Sequence, residues 1–177
     1  MKASITEYTV RRLQAGEGDL YRSVRLESLR ESPEAYASSY ESALQRNDDS
    51  WRAQADASAS GSDRATFVVL AERPIGLGAI YRDPDRPHEG ELIQVWVSPE
   101  CRGGEVALDL MNALLHWATS NGFETIRAEV TPNNPRALRF YEKHGFIKTE
   151  PHAPSGEANE LLAKKVRQGS QQAIHPH

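Results

Sequence analysis

A single cysteine, Cys101, leaves this chain no way to form an internal disulfide, so a reducing, cytoplasmic setting is the expected one. Cys101 precedes a helix, a position that lowers thiol pKa values, yet no His or Asn partner for a nucleophile is recognisable beside it. The six histidines show no HExxH or similar spacing, so no metal site is expected. No apolar run approaches the roughly 20 residues of a membrane span, and the first residues, Met1 to Thr6, lack the apolar stretch of a secretory leader. Positive charge is not in excess either. Lys and Arg number 21 against 25 Asp and Glu, a formal net charge of −4, which gives no global electrostatic reason to bind nucleic acid. No internal repeat is visible.

What is present is ordinary globular composition: 177 residues, 38% hydrophobic and 26% charged. That length suits one domain with a real core, expected over residues 6–167, followed by a polar, disordered tail at 168–177. The pattern of alternation predicts a first strand at Tyr8–Leu13. A helical stripe follows over Gly16–Ser32, carried by Leu20, Val24, Leu26 and Leu29. Ser32 and Pro33 read as the cap and first residue of a second helix running to about Leu44. Asp48 or Asp49 would cap a further turn carrying Trp51, and Ala53–Ser62 reads as loop or fraying helix end. Strands are predicted at 65–71 and 75–81, joined at Glu72-Arg73-Pro74. Gly76 and Gly78 within the second of these suit a bulge or close backbone packing. A polar loop, 83–90, leads to a strand at 91–97, a helix at 104–120 ended by Gly122, a strand at 124–131, and a helix at 134–143. Short strands at 146–149 and 161–166 complete a mixed-sheet α/β layout rather than an alternating doubly wound one.

Three local features carry chemistry. The first is the strand Leu92–Val97 feeding the turn Arg102-Gly103-Gly104-Glu105-Val106-Ala107 and then a helix. Glycines there admit close backbone approach, the helix N-terminus offers N–H donors and partial positive charge, and Arg102 can add a charge-assisted contact, an arrangement suited to phosphate. A plain tight turn has the same composition. The second is Asn134 through Phe146. Asn134, Pro135 and Gly145 are a good helix cap, first residue and terminator, and Tyr141 is equally compatible with core packing beside Ala137 and Leu138. The third is Glu91. Strict alternation would put it on one face with Ile93, Val95 and Val97, either in water at the strand end or half-buried.

Taken together these motifs resemble the GNAT superfamily of acetyl-CoA-dependent N-acetyltransferases, over the order of elements from about Tyr8 to Val166. The family's phosphate loop has the form Gln/Arg-x-x-Gly-x-Gly/Ala, and a later motif the form Asn-x-x-Ala-x-x-x-Tyr-x-x-x-Gly-Phe. Asn134, Ala137, Tyr141, Gly145 and Phe146 stand at the second spacing, and Val97-Ser98-Pro99 supplies the Val-x-Pro before the loop. Arg102 and Ala107 match the first pattern, but Glu105 replaces its central glycine. A carboxylate about 4 Å from a pyrophosphate charge would repel it by about 4 kcal/mol at an effective dielectric of 20.

The resemblance implies a GNAT-like domain: a mostly antiparallel sheet, a parallel central pair splayed for the cofactor, and helices on both faces. It implies transfer of an acetyl group from acetyl-CoA to a primary amine of a small molecule or exposed protein, by direct attack through a tetrahedral intermediate. Main-chain groups at Val95, Trp96 and Val97 would hold the pantetheine arm and thioester oxygen. Arg102 to Ala107 would hold the pyrophosphate, Asn134 would orient the cofactor, Tyr141 would protonate the departing thiolate, and Glu91 would accept the amine proton directly or through water. Glu89 or His88 would be the substitutes for Glu91. Tyr36, Tyr40 and the loop 83–90 would wall the acceptor pocket. The partners are then acetyl-CoA and an amine, with the chain a monomer or homodimer. A non-catalytic binding module on the same fold, its affinity weakened by Glu105, stays open as the alternative. A nucleotide-binding protein is disfavoured, since no Walker lysine follows the glycines.

Overall fold

A computed structural model describes residues 7–149 and 159–166; the expected domain ends and the tail 168–177 lie outside them. The sheet has seven strands: β1 (Thr9–Arg12), β2 (Arg64–Leu70), β3 (Pro74–Arg82), β4 (Glu89–Val97), β5 (Thr125–Val130), β6 (Ile147–Lys148) and β7 (Glu160–Lys165). Their spatial order is β1-β2-β3-β4-β5-β7-β6. Only β4 and β5 are parallel among these pairs; the others are antiparallel. A parallel pair needs a crossover, and α4 (Glu105–Ser120) provides it.

The helices divide between the two faces. On one side α1 (Gly18–Glu31) and α3 (Asp48–Ala57) bury Tyr21, Val24, Leu29 and Trp51 against Val68, Leu77 and Trp96, with the short α2 (Tyr40–Leu44) contributing Ala43. On the other, α4 and α5 (Pro135–Lys143) pack Leu110, Met111, Leu114 and Tyr141 with Ile80, Leu92, Val97 and Val130. The buried positions of α4, from Val106 through Leu110, Leu114 and Trp117, form one helical face. Full burial of each large aliphatic among them is worth about 1.5–3 kcal/mol. Gly78 lets α4 approach β3 closely, since a Cβ there would lie 2.7 Å from a Leu114 methyl, while a Cβ on Gly76 would lie 2.8 Å from a Val69 methyl of β2.

Several sequence expectations shift. The helix expected from Pro33 to Leu44 is broken. Pro33–Ala35 is one 3-10 turn, Tyr36 is extended (φ −131°, ψ 151°), and α2 restarts at Tyr40, capped by Ser39. Ser32 makes no capping bond; its hydroxyl donates to Glu31 at 2.5 Å instead. Asn47, not Asp48 or Asp49, caps α3, accepting from the Ser50 N–H at 2.8 Å, and the helix extends through Ala57. The apolar stripe read for α1 also misplaced its inner face, which buries Arg25 and Ser28 while Leu20 and Leu26 are only partly buried.

The largest correction lies in β4. Ala79 pairs with Ile93 but Leu77 pairs with Trp96, so two residues oppose Gly78, and Gln94 takes a left-handed φ of 58°. This bulge reverses the alternation. Glu91, opposite Tyr81, points to the α1 side, as does Trp96 beyond the bulge; Val95 and Val97 point to the α4 side. Glu91 therefore does not share a face with Val95 and Val97.

Candidate functional site

The parallel ladder of β4 and β5 runs from Glu89 opposite Thr125 to Leu92 opposite Ala128 and stops there. Both strands continue, to Val97 and Val130, without pairing to each other. The bulge at Gln94 starts where the pairing ends, and its extra twist turns β4 away. The opening leaves main-chain groups of residues 93–97 free of β5.

A cleft of about 250 Å³ occupies this opening. One wall is Val95, Trp96 and Val97. The floor is Arg102, Gly103, Gly104 and the first turn of α4 at Ala107 and Leu108. The far wall is α5, from Asn134 through Ala137 and Tyr141 to His144, and the near rim is Ser32, Ala35 and Tyr36. Gly103 adopts a φ of +77°, which only glycine takes readily, and Gly104 is the N-cap of α4, with no side chain bonding the helix's first N–H groups. A Cβ at Gly103 would meet nothing within 4 Å, so the loop backbone faces open space.

Most residues singled out from the sequence meet here, though not all. Val95, Trp96, Val97, Arg102, Gly103, Gly104, Ala107, Asn134 and Tyr141 line the cleft. Val106 is buried in the core beneath it. Glu105 is exposed and outside the lining; its charge acts on Tyr8, whose hydroxyl donates to Asp109 at 2.6 Å. Glu91 is also outside the lining. Its carboxylate accepts the Tyr81 hydroxyl, and burial together with that bond pushes the Tyr81 phenol up to about 12. Cys101 is buried, which raises its thiol pKa and works against a nucleophilic role.

Tyr141 is nearly enclosed, and burial, then Tyr36 nearby, push its phenol well above the usual range. It stays neutral and makes no hydrogen bond among the described residues, so its proton is available to the cleft. Asn134 caps α5, accepting from the Ala137 N–H at 3.2 Å. Burial, followed by Lys143 and Lys164, lowers the pKa of His144. The Tyr36 hydroxyl donates to the Val95 carbonyl at 2.9 Å, so one of the expected main-chain acceptors already has a partner.

Two features escaped the sequence reading. Arg136, Arg139 and Lys143 line the cleft from α5 and make its rim basic; their i, i+3, i+7 spacing was the available signal. Glu31, at the end of α1, gathers the Trp96 indole N–H at 2.9 Å, the Ser32 hydroxyl and the Arg102 guanidinium, tying α1 to the glycine loop. Burial alone would raise its pKa; the hydrogen bonds from Ser32, Arg102 and Trp96 outweigh it and lower the pKa. No local pattern marks that hub.

The overall fold, a mixed sheet with helices on both faces, is shared with known proteins. A GNAT-family acetyltransferase of Streptococcus pneumoniae superposes with a TM-score of 0.75 at 15% identity, covering 90% of this chain and 99% of that one. PaiA N-acetyltransferase of Thermoplasma acidophilum, solved in complex with coenzyme A, gives 0.73 at 19% identity, with 90% and 99% covered. The ribosomal-protein-S18-alanine N-acetyltransferase of Escherichia coli gives 0.62 at 14% identity, with 96% and 100% covered. No curated protein matches the sequence. The model of the acetyltransferase (GNAT) family matches residues 26–146, and the chain belongs to that family.

Proposed function

We propose that this protein transfers an acetyl group from acetyl-CoA to a primary amine. The observation that carries the reading is the coincidence of three elements in one cleft: the splayed edge of β4, the open glycine loop at the start of α4, and the unbonded hydroxyl of Tyr141. The residues present suit the co-substrate. Gly103, Gly104 and the first turn of α4 would hold its pyrophosphate, and Arg136, Arg139 and Lys143 give the rim a charge that phosphates attract. The main chain of residues 95–97 would align the pantetheine arm as an added strand. Acetyl-CoA supplies an activated thioester carbonyl.

The protein's part is positioning and proton management. The acceptor arrives mostly as an ammonium if its pKa is near 10.4, and must lose a proton first. Glu91, held by Tyr81 on the α1 side, takes that proton through water, since it lies outside the cleft lining. The amine nitrogen first bonds to the carbonyl carbon, giving a tetrahedral intermediate, and the carbon–sulfur bond breaks as that intermediate collapses. A main-chain N–H of β4 stabilises the charge that grows on the carbonyl oxygen. Tyr141 gives its proton to the departing sulfur. Asn134 holds the start of α5 so that Tyr141 faces the opening.

Glu105 is exposed and outside the cleft lining, which favours the enzyme over a binding module weakened at that residue. The test is direct. Acetyl-CoA at one hundred times its dissociation constant should add about 2.7 kcal/mol of stability, and an amine panel should release free CoA. No melting shift at millimolar acetyl-CoA would overturn the proposal.

A further inference from the structure

Arg25 is the only buried charged side chain among the described residues, 6% exposed on the inner face of α1. Its guanidinium carries five N–H donors and remains protonated at any physiological pH. Among the described residues those donors find one protein acceptor, Ser28 Oγ, at 3.4 Å. Among the described residues the titratable groups acting on it are Tyr21, Tyr36 and a second cation, Arg46, and none of these is a carboxylate. A buried charge with no counter-ion is strongly unfavourable. The Tyr36 ring, whose centroid is 4.7 Å from Arg25 Cζ, offsets part of this but cannot neutralise a unit charge. Neither phenol can serve as an anion. Tyr21 donates to Gln94 Oε1 at 2.8 Å and Tyr36 to the Val95 carbonyl at 2.9 Å, and burial holds both in the neutral form.

The same two bonds locate the cation. Tyr21 and Tyr36 fasten to Gln94 and Val95, the bulge of β4, and Tyr36 and Val95 line the cleft. Arg25 thus stands behind Tyr36, on the α1 side of the bulge where the acceptor amine would meet the thioester. Tyr36 belongs to the extended link between the 3-10 turn and α2; its ring covers one face of the Arg25 guanidinium, and the nitrogens that Ser28 leaves unbonded are not fully enclosed.

We propose that the acceptor is an amine that also carries a carboxylate, an amino acid or close analogue, and that Arg25 supplies the counter-ion for that carboxylate. This rests on the acetyl-transfer reading above. The planar fork of a guanidinium matches a planar carboxylate with two parallel hydrogen bonds, and one negative charge balances this buried cation, which has no counter-ion among the described residues.

The experiment measures equilibrium binding, in the presence of CoA, of matched pairs: L-phenylalanine and phenethylamine, L-lysine and cadaverine, L-methionine and 3-(methylthio)propylamine. Wild type, Arg25→Met and Arg25→Lys are compared. In at least one pair the carboxylated member binds wild type about tenfold or more tightly. That preference vanishes in Arg25→Met and partly returns in Arg25→Lys, which keeps the charge. Arg25→Met should melt no lower than wild type, since it removes a buried charge that has no counter-ion among the described residues; Arg25→Gln replaces it if it does not fold. Absence of preference in every pair, or a preference that survives Arg25→Met, overturns the proposal. CoA release with acetyl-CoA, measured on the same samples, separates the two readings. Release without carboxylate preference leaves acetyl transfer standing and removes this inference. A preference abolished by Arg25→Met without release does the opposite.

Discussion

At the scale of single residues, Tyr141 and Glu105 show how burial decides a role. Tyr141 combines a neutral phenol at the cleft wall with a proton that no described residue accepts. We expect Tyr141→Phe to lower kcat by roughly 10²–10⁴ while leaving acetyl-CoA affinity nearly unchanged, because only the proton is removed. Single-turnover kinetics with unchanged rate would return Tyr141 to the core. Glu91→Gln should flatten the acidic limb of the pH–rate profile, and a limb of unchanged shape and midpoint would exclude Glu91 as the base. Glu105 faces solvent, so Glu105→Gln should change acetyl-CoA affinity by well under tenfold, about 1.4 kcal/mol. A tenfold gain by titration calorimetry would mean that its charge does reach the pyrophosphate.

Among the elements, β4 and the tie between α1 and the glycine loop matter most. Glu31 joins Trp96 of β4 and Arg102 of the loop. Its folded-state pKa lies below its unfolded value, so its contribution to stability is fully present above the ordinary carboxylate range, near 4.3, and is lost as pH falls through the folded value. Wild type should therefore melt above Glu31→Gln near pH 7, and the gap should close on acidification. A gap independent of pH would show that the ion pair contributes nothing. The local signals for α5 were legible: Asn134, Pro135 and Gly145 act as cap, first residue and terminator through bonds to neighbours in sequence. The bulge was not. Gln94 is an unremarkable residue in a strand; its left-handed φ falls where two residues oppose Gly78 of the adjacent strand and where the Tyr21 hydroxyl, from α1, donates to its side chain.

For the whole molecule, the net charge of −4 conceals a basic rim on the cleft. Pairs at such an exposed rim are worth about 0–1 kcal/mol each and are screened by salt. We expect the acetyl-CoA Kd to rise about tenfold, about 1.4 kcal/mol, from low to high salt, while that of S-acetyl-pantetheine, which lacks the phosphates, stays constant. Equal salt dependence of the two by titration would remove the basic rim from cofactor recognition.

The sequence by itself determined what neighbouring residues can encode: the periodic α4, the glycine turn before it, the capped α5 with Tyr141 at its motif position, and hence the family. The tertiary structure decided what depends on distant partners. It set the end of the β4–β5 pairing, the reversal of faces that separates Glu91 from Val95 and Val97, and the ion pair of Glu31 with Arg102, 71 residues apart. It also buried Arg25 beneath Tyr36 with no counter-ion among the described residues. Backbone propensity and capping are settled within a few residues of chain, whereas charge burial and strand register take their energies from groups that meet only when the chain has folded.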